Sequence, residues 1–397
     1  MKVTLADMLV ATICLFLFCS LTYELLPLQL NNIIGLVLSF ILVRGFFVRL
    51  NLLQFCLLLV LTLLLYFSCM HLSFVKDNEF KLLGLNDSLS WIFTSVFMVA
   101  LLDNRLVFSV QKSIFKYQKV IFIFLIFLSA LLYLFIFLDK CYSNQWNGIY
   151  FKGYSYGNHS CASTICLLMS LKLMCLKYSK KYLLIILLLI TFDFYVVLQT
   201  GARIFVVPSS IILFLATMFL RGTKKSYFIK YSLLCILPII TVHSNFFNKF
   251  CYTLIDESSV NSYDLIDSIS NSRIRIWGNN ISSFIENDWM NLIIGNGFDF
   301  SYYVNFNLLG RSIWAHSDLV SVLVSAGILG LFIYLLIYIN LITKIKNKFL
   351  LAAIVAYSIF PMIFNGFFLY QHLFFSFVFI FCFAFDSRYK FSKFINK

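Results

Sequence analysis

A polytopic bundle of α-helices in a membrane is the fold class this sequence predicts, and three observations predict it. Of 397 residues, 61% are hydrophobic and only 12% charged, against roughly 25% charged in soluble domains. Apolar runs of about 20 residues, enough to cross roughly 30 Å of hydrocarbon, recur from end to end. The basic residues fall between those runs, as membrane topology requires. A single all-α integral membrane domain over 1–397 is therefore expected.

The runs place helices near 7–25, 28–43, 52–70, 88–102, 119–138, 156–176, 182–198, 204–220, 229–242, 316–340, 349–365 and 368–385. That is about twelve spans. The first run, Met8–Cys19, has no small-residue cleavage site after it and is read as a retained helix. The segments between alternate spans, starting with Lys2 and ending with Arg388–Lys397, hold 22 of the 31 Lys and Arg. Lys172 is counted with the cytoplasmic Lys177, Lys180 and Lys181. Positive residues stay on the cytoplasmic side, so both termini are expected there. The same distribution explains the net charge of +14 by topology and excludes nucleic acid as a partner.

The eleven cysteines are scattered, mostly within apolar runs and without a CxxC, which reads as buried apolar cysteine. Cys141 and Cys251 both fall in outside segments and form the one candidate disulfide pair. Residues 243–315 are the single long hydrophilic stretch, and it lies outside. A loop of this length is functional or disordered. Its Trp277, Trp289, Tyr302 and Trp314 argue against disorder, and Ile274–Ile285 is helix-like.

Residues able to do chemistry gather on that outer side. All five histidines, His71, His159, His243, His316 and His372, sit at outside helix ends or in outside loops. Arg203 lies in a very short connection, Gln199-Thr-Gly-Ala-Arg203, between two apolar helices. An arginine at that depth costs up to about 3 kcal/mol unless it is paired or snorkels. Its planar guanidinium also suits bidentate phosphate binding. In Ser272-Arg273-Ile-Arg275-Ile-Trp277, Arg273 and Trp277 share a helix face, and a cation beside an aromatic ring suits a sugar phosphate. Trp314-Ala-His316-Ser-Asp318 opens a long apolar helix. Asp318 there favours a helix N-terminus through the macrodipole, and Gly327 and Gly330 permit close helix packing. Ile294-Gly295-Asn-Gly297-Phe-Asp299 reads as a turn. Asp193 falls inside a predicted helix, where a carboxylate is either functional or structurally paired. There is no HExxH, phosphate loop or GxSxG, so neither metal nor cofactor is expected.

Over residues 150–345 these segments together resemble the O-antigen polymerase and ligase superfamily of bacterial inner membranes. The resemblance runs through Tyr156-Gly-Asn158-His159-Ser-Cys-Ala, Thr200-Gly-Ala-Arg203, Ser272-Arg273-Ile-Arg-Ile-Trp277, Gly295-Asn-Gly297 and His316-Ser-Asp318 ahead of Gly327-Ile-Leu-Gly330. The family usually carries Ser-Arg or Thr-Arg where this chain has Ala202-Arg203. The resemblance implies a GT-C-like bundle in a Gram-negative inner membrane, acting as a metal-independent, inverting glycosyltransferase. The donor would be an oligosaccharide on a polyprenyl diphosphate, and a polysaccharide chain-length regulator would be a partner. It assigns His316 as the base that takes the acceptor proton, with Asp318 orienting it. Arg203 and Arg273, helped by Arg275, would bind the diphosphate, and Asn158, His159, Trp277 and Arg311 would contact substrate. His-Ser-Asp at the catalytic position favours polymerase over ligase. Two other classes stay open: a lipid-linked oligosaccharide flippase, and a metal-dependent lipid-linked glycosyltransferase using the Asp77-x-Glu79 pair.

Overall fold

The computed structural model describes residues 4–26, 34, 37, 56, 78–145, 148–178, 183–219, 224–256, 270, 272–367 and 371–385. These residues are all-α except for one small hairpin. The helices are α1 (Leu5–Leu21), α2 (Asn78–Ala100), α3 (Asn104–Lys116), α4 (Gln118–Ile136), α5 (Asn158–Tyr178), α6 (Leu183–Gln199), α7 (Arg203–Thr217) and α8 (Lys224–Val242). They continue as α9 (Asn245–Asp256), α10 (Arg273–Ile285), α11 (Trp289–Ile294), α12 (Phe300–Leu309), α13 (Asp318–Ile342), α14 (Lys348–Phe364) and α15 (Gln371–Ala384). By length and composition two of them, α4 and α13, are long and apolar enough to cross a membrane, while α1, α6, α7 and α14 are shorter apolar helices.

Helices therefore occur at each apolar run among the described residues. The runs at 28–43 and 52–70 lie outside those residues. The differences are at the edges. The expected basic loop after residue 102 is instead α3, an amphipathic helix capped by Asp103, whose side chain accepts from the Arg105 amide at 2.9 Å. Its Val107, Val110 and Ile114 are buried. α2 starts ten residues before its apolar run. Its polar first turns are held by the outer segment: Tyr302 donates to Asp87 at 2.8 Å, and a Cβ on Gly84 would meet the Asp299 backbone at 2.6 Å.

The centre is α5, which packs against α1, α4, α6, α7, α14 and α15. Residues 160–174 of α5 are buried on every side, as a helix surrounded by others must be. Lys172 is among them, which corrects its expected place in a cytoplasmic segment. Its Nζ donates to Asp193 on α6 and to Ser129 on α4, and Tyr133 of α4 donates to the same carboxylate at 3.2 Å. Asp193 is thus the structurally paired carboxylate of the two readings the sequence left open.

Three devices shape the end of the bundle where α5 begins. Between α4 and α5, β1 (Tyr142–Gln145) and β2 (Gly148–Phe151) pair antiparallel, with Gln145 opposite Gly148. The candidate disulfide is not formed: Cys141 is a buried free thiol at the base of this hairpin, and Cys251 is free on α9. The described residues of 243–315 are largely helical, and α10, α11 and α12 lean on the first half of α13 around Phe284, Ala315, Val320 and Val324. Finally, α13 is broken at Gly327 (φ 70°, ψ −173°). The break leaves the Val324 and Ser325 carbonyls without helical donors. Asn296 and Gly297 amides fill them at 2.9 and 3.0 Å. The two chains touch so closely that a Cβ on Gly295 would lie 2.2 Å from the Ser325 carbonyl, and one on Gly327 2.2 Å from the Ile293 carbonyl. Gly327 therefore serves a backbone break as well as the close packing its spacing suggested.

Candidate functional site

Four chain segments bring three cations and a histidine together at the N-terminal end of α5. The first is the turn Thr200-Gly201-Ala202 between α6 and α7. Thr200 Oγ1 accepts from the Ala202 amide at 3.2 Å, and Gly201 takes φ 63°. Glycine is required there twice over, because a Cβ would also meet the Tyr150 ring at 2.4 Å. Arg203 follows as the first residue of α7. Its Nη2 donates to the Lys249 carbonyl at 3.3 Å.

Lys249 of α9 is the second cation, and sequence reasoning passed over it. It is buried, its Nζ donates to the Gly201 carbonyl at 3.5 Å, and it stands 5.2 Å over the Tyr150 ring of β2. Burial, with the charges of Arg203 and Arg273 nearby, pulls its ammonium down to about 8. That both arginines act on Lys249 puts the three cations in one field. One signal was available: Lys249 is among the nine Lys and Arg that the positive-inside pattern leaves outside. Nothing else marks it, since its neighbours are ordinary loop residues.

Arg273 opens α10 and is the third cation. It is buried, and its Nη2 donates to Asn365 Oδ1 at 3.5 Å. Asn365 lies in the turn after α14 and was not singled out from sequence. The residue before Arg273, Ser272, takes φ 60°.

The fourth segment carries His316. It too is a non-glycine residue with positive φ, 51°, a conformation that costs about 1–3 kcal/mol and persists only when its surroundings hold it. Here they do. Trp277 donates from Nε1 to the Ala315 carbonyl at 2.8 Å, and Asn305 donates to the Ile313 carbonyl at 2.7 Å. The Trp314 ring lies 4.8 Å from the imidazole. Burial and the charge of Arg273 pull His316 down to about 4, so the ring is neutral at neutral pH. Its Nδ1 is buried without a hydrogen-bond partner among the described residues. His159, at the start of α5, lies within electrostatic range of Arg273, Lys249 and His316.

The structure thus brings together Arg203, Arg273, His316 and His159, and adds Lys249. It places other expected site residues elsewhere. Arg275 and Arg311 are exposed. Trp277 spends its N–H on Ala315 and packs against Phe364, so it braces the His316 loop. Asn158 is buried and accepts from Ser143 at 3.0 Å. Asp318 is the first residue of α13, capped by Ser317, but its Oδ2 accepts from the Phe367 amide at 2.7 Å and Tyr334 at 3.3 Å. Asp318 therefore anchors the 365–367 turn that carries Asn365 to Arg273, and it bears on the site through that turn.

No family model, no curated protein and no solved structure matches this chain.

Proposed function

We propose that this chain is a multi-pass glycosyltransferase of the bacterial inner membrane, with both termini cytoplasmic and about twelve spans, that polymerises O-antigen repeat units on their lipid carrier. The observation that carries the reading is the cluster of Arg203, Lys249 and Arg273 beside a neutral His316. Three cations in one field are matched by a ligand with several negative charges, and a diphosphate has them. Two planar guanidiniums and one ammonium grip such a group from different sides.

The same residues supply a reaction. A sugar hydroxyl of one lipid-linked repeat attacks the anomeric carbon of the donor glycan. The bond from that carbon to the diphosphate oxygen breaks, and the configuration inverts. The departing polyprenyl diphosphate keeps the electron pair, and the cations stabilise the charge that develops on it. The hydroxyl proton passes to the neutral His316 imidazole and then to solvent, a contribution of typically 10²–10⁴ in rate.

Deleting the gene separates this activity from its relatives. Loss of a polymerase leaves the ligase working, so lipopolysaccharide core capped with a single repeat is expected on a gel. Bare core with long glycan stranded on the lipid carrier would instead identify a ligase. Repeat units trapped on the cytoplasmic face would identify a flippase.

A further inference from the structure

Residues 286–297 carry apolar side chains that neither the core nor the cation cluster uses. On α11, Trp289, Met290 and Ile293 are 68%, 47% and 43% exposed, while Leu292 between them packs inward against the Phe284–Val324 cluster. The helix starts at an exposed Asp288, whose side chain accepts from the Asn291 amide at 2.8 Å. It ends at Gly295, whose amide returns to the Asn291 carbonyl at 2.8 Å.

What this segment rests on is informative. Its 295–297 turn sits in the break of α13, nine residues after Asp318, or about 14 Å along the helix axis. α13 is apolar and long enough to cross a membrane. On the same stretch of α13, Ile328 and Phe332 are 58% and 62% exposed. The exposed apolar side chains of α11 are therefore carried by a helix packed on a second helix that also exposes apolar side chains just past its break. Irregular backbone at that depth is tolerated only when every polar group is satisfied within the protein. Here the break and the turn satisfy each other, through Asn296 to Val324 and Gly297 to Ser325.

We infer that residues 286–297 form a re-entrant segment that dips into the outer leaflet, with Trp289, Met290 and Ile293 facing lipid acyl chains. The inference rests on the membrane reading given above, with Asp318 at the outer boundary. The acidic Glu286 and Asp288, both exposed, then stand at the headgroup end of the segment, and Gly295 reaches farthest in.

Tryptophan emission tests it. The purified chain and Trp289→Phe are placed in nanodiscs of ordinary or acyl-brominated phosphatidylcholine, and the difference in emission isolates Trp289. The expected component is blue-shifted, quenched by the brominated lipid and insensitive to acrylamide in the buffer. Met290→Trp in the Trp289→Phe background should restore a component quenched in the same way. A Trp289 component quenched by acrylamide and not by bromine would put the segment in water. A component shielded from both would mean that protein, such as a second copy of the chain, covers it. Either result overturns the inference while quenching of the other tryptophans upholds the membrane reading. If brominated lipid quenches none of the emission, both fail.

Discussion

His316 and Lys249 titrate from opposite sides of neutrality, and their positions set the pH profile of the proposed reaction. His316 is active when neutral, hence above about 4, and Lys249 binds an anion when charged, hence below about 8. In free enzyme, kcat/KM should fall on the acid side near the first value and on the alkaline side near the second. A bound diphosphate favours both charged forms, so in kcat both limbs should move to higher pH. Lys249→Met should remove the alkaline limb, and His316→Gln should lower the rate by about 10²–10⁴ and remove the acid one. Limbs in kcat and kcat/KM that coincide would separate the two groups from the diphosphate. His316 and Arg203 were legible in the sequence as polar residues at the rim of an apolar run, and Arg273 as a cation one helical turn from Trp277. Lys249 and Asn365 were not, since each reaches the site only by packing across long stretches of chain.

At the level of elements, α13 and the 295–297 turn act as one unit. Gly295 and Gly327 both have positive φ; a Cβ on Gly295 would run into the Ser325–Ala326 backbone, and one on Gly327 into the backbone of Ile293 and Gly295. Gly327→Ala or Gly295→Ala should each lower stability by roughly 2 kcal/mol or more, from strain and overpacking together. Because they share one contact, the double variant should cost less than the sum of the singles. Thermal unfolding in detergent measures this, and strict additivity would mean the two sites do not meet. The sequence announced the turn through its Gly-Asn-Gly, but not what it inserts into. The hairpin that pairs Tyr142–Gln145 with Gly148–Phe151 was not announced, because no strand was read between the apolar runs. The early start of α2 was not, because its first turns depend on Tyr302 and Asp299 rather than on apolar periodicity.

Across the whole molecule, one buried charge pair ties the helices around α5 together. Lys172 and Asp193 are shielded from all solvent and share Ser129 and Tyr133 from α4. Removing one partner leaves an uncompensated buried charge, so Lys172→Met should cost about 3–5 kcal/mol, and Lys172→Met with Asp193→Leu should recover most of it. Thermal unfolding of the two variants checks this, and a double variant no more stable than the single one would deny the pairing its part in stability. The sequence by itself determined the all-α class and the placing of most helices, and it singled out His316, Arg203 and Arg273. Those follow from local quantities: hydropathy over a window, charge between windows and the preferences of single residues. Only the tertiary structure decided that Lys172 turns inward to Asp193, that α13 breaks to receive a turn, that Asp318 serves Asn365, and that Lys249 joins the arginines. Each of these is a contact between segments remote in the chain, whose energy depends on which groups meet once the helices pack, and no local window contains that information.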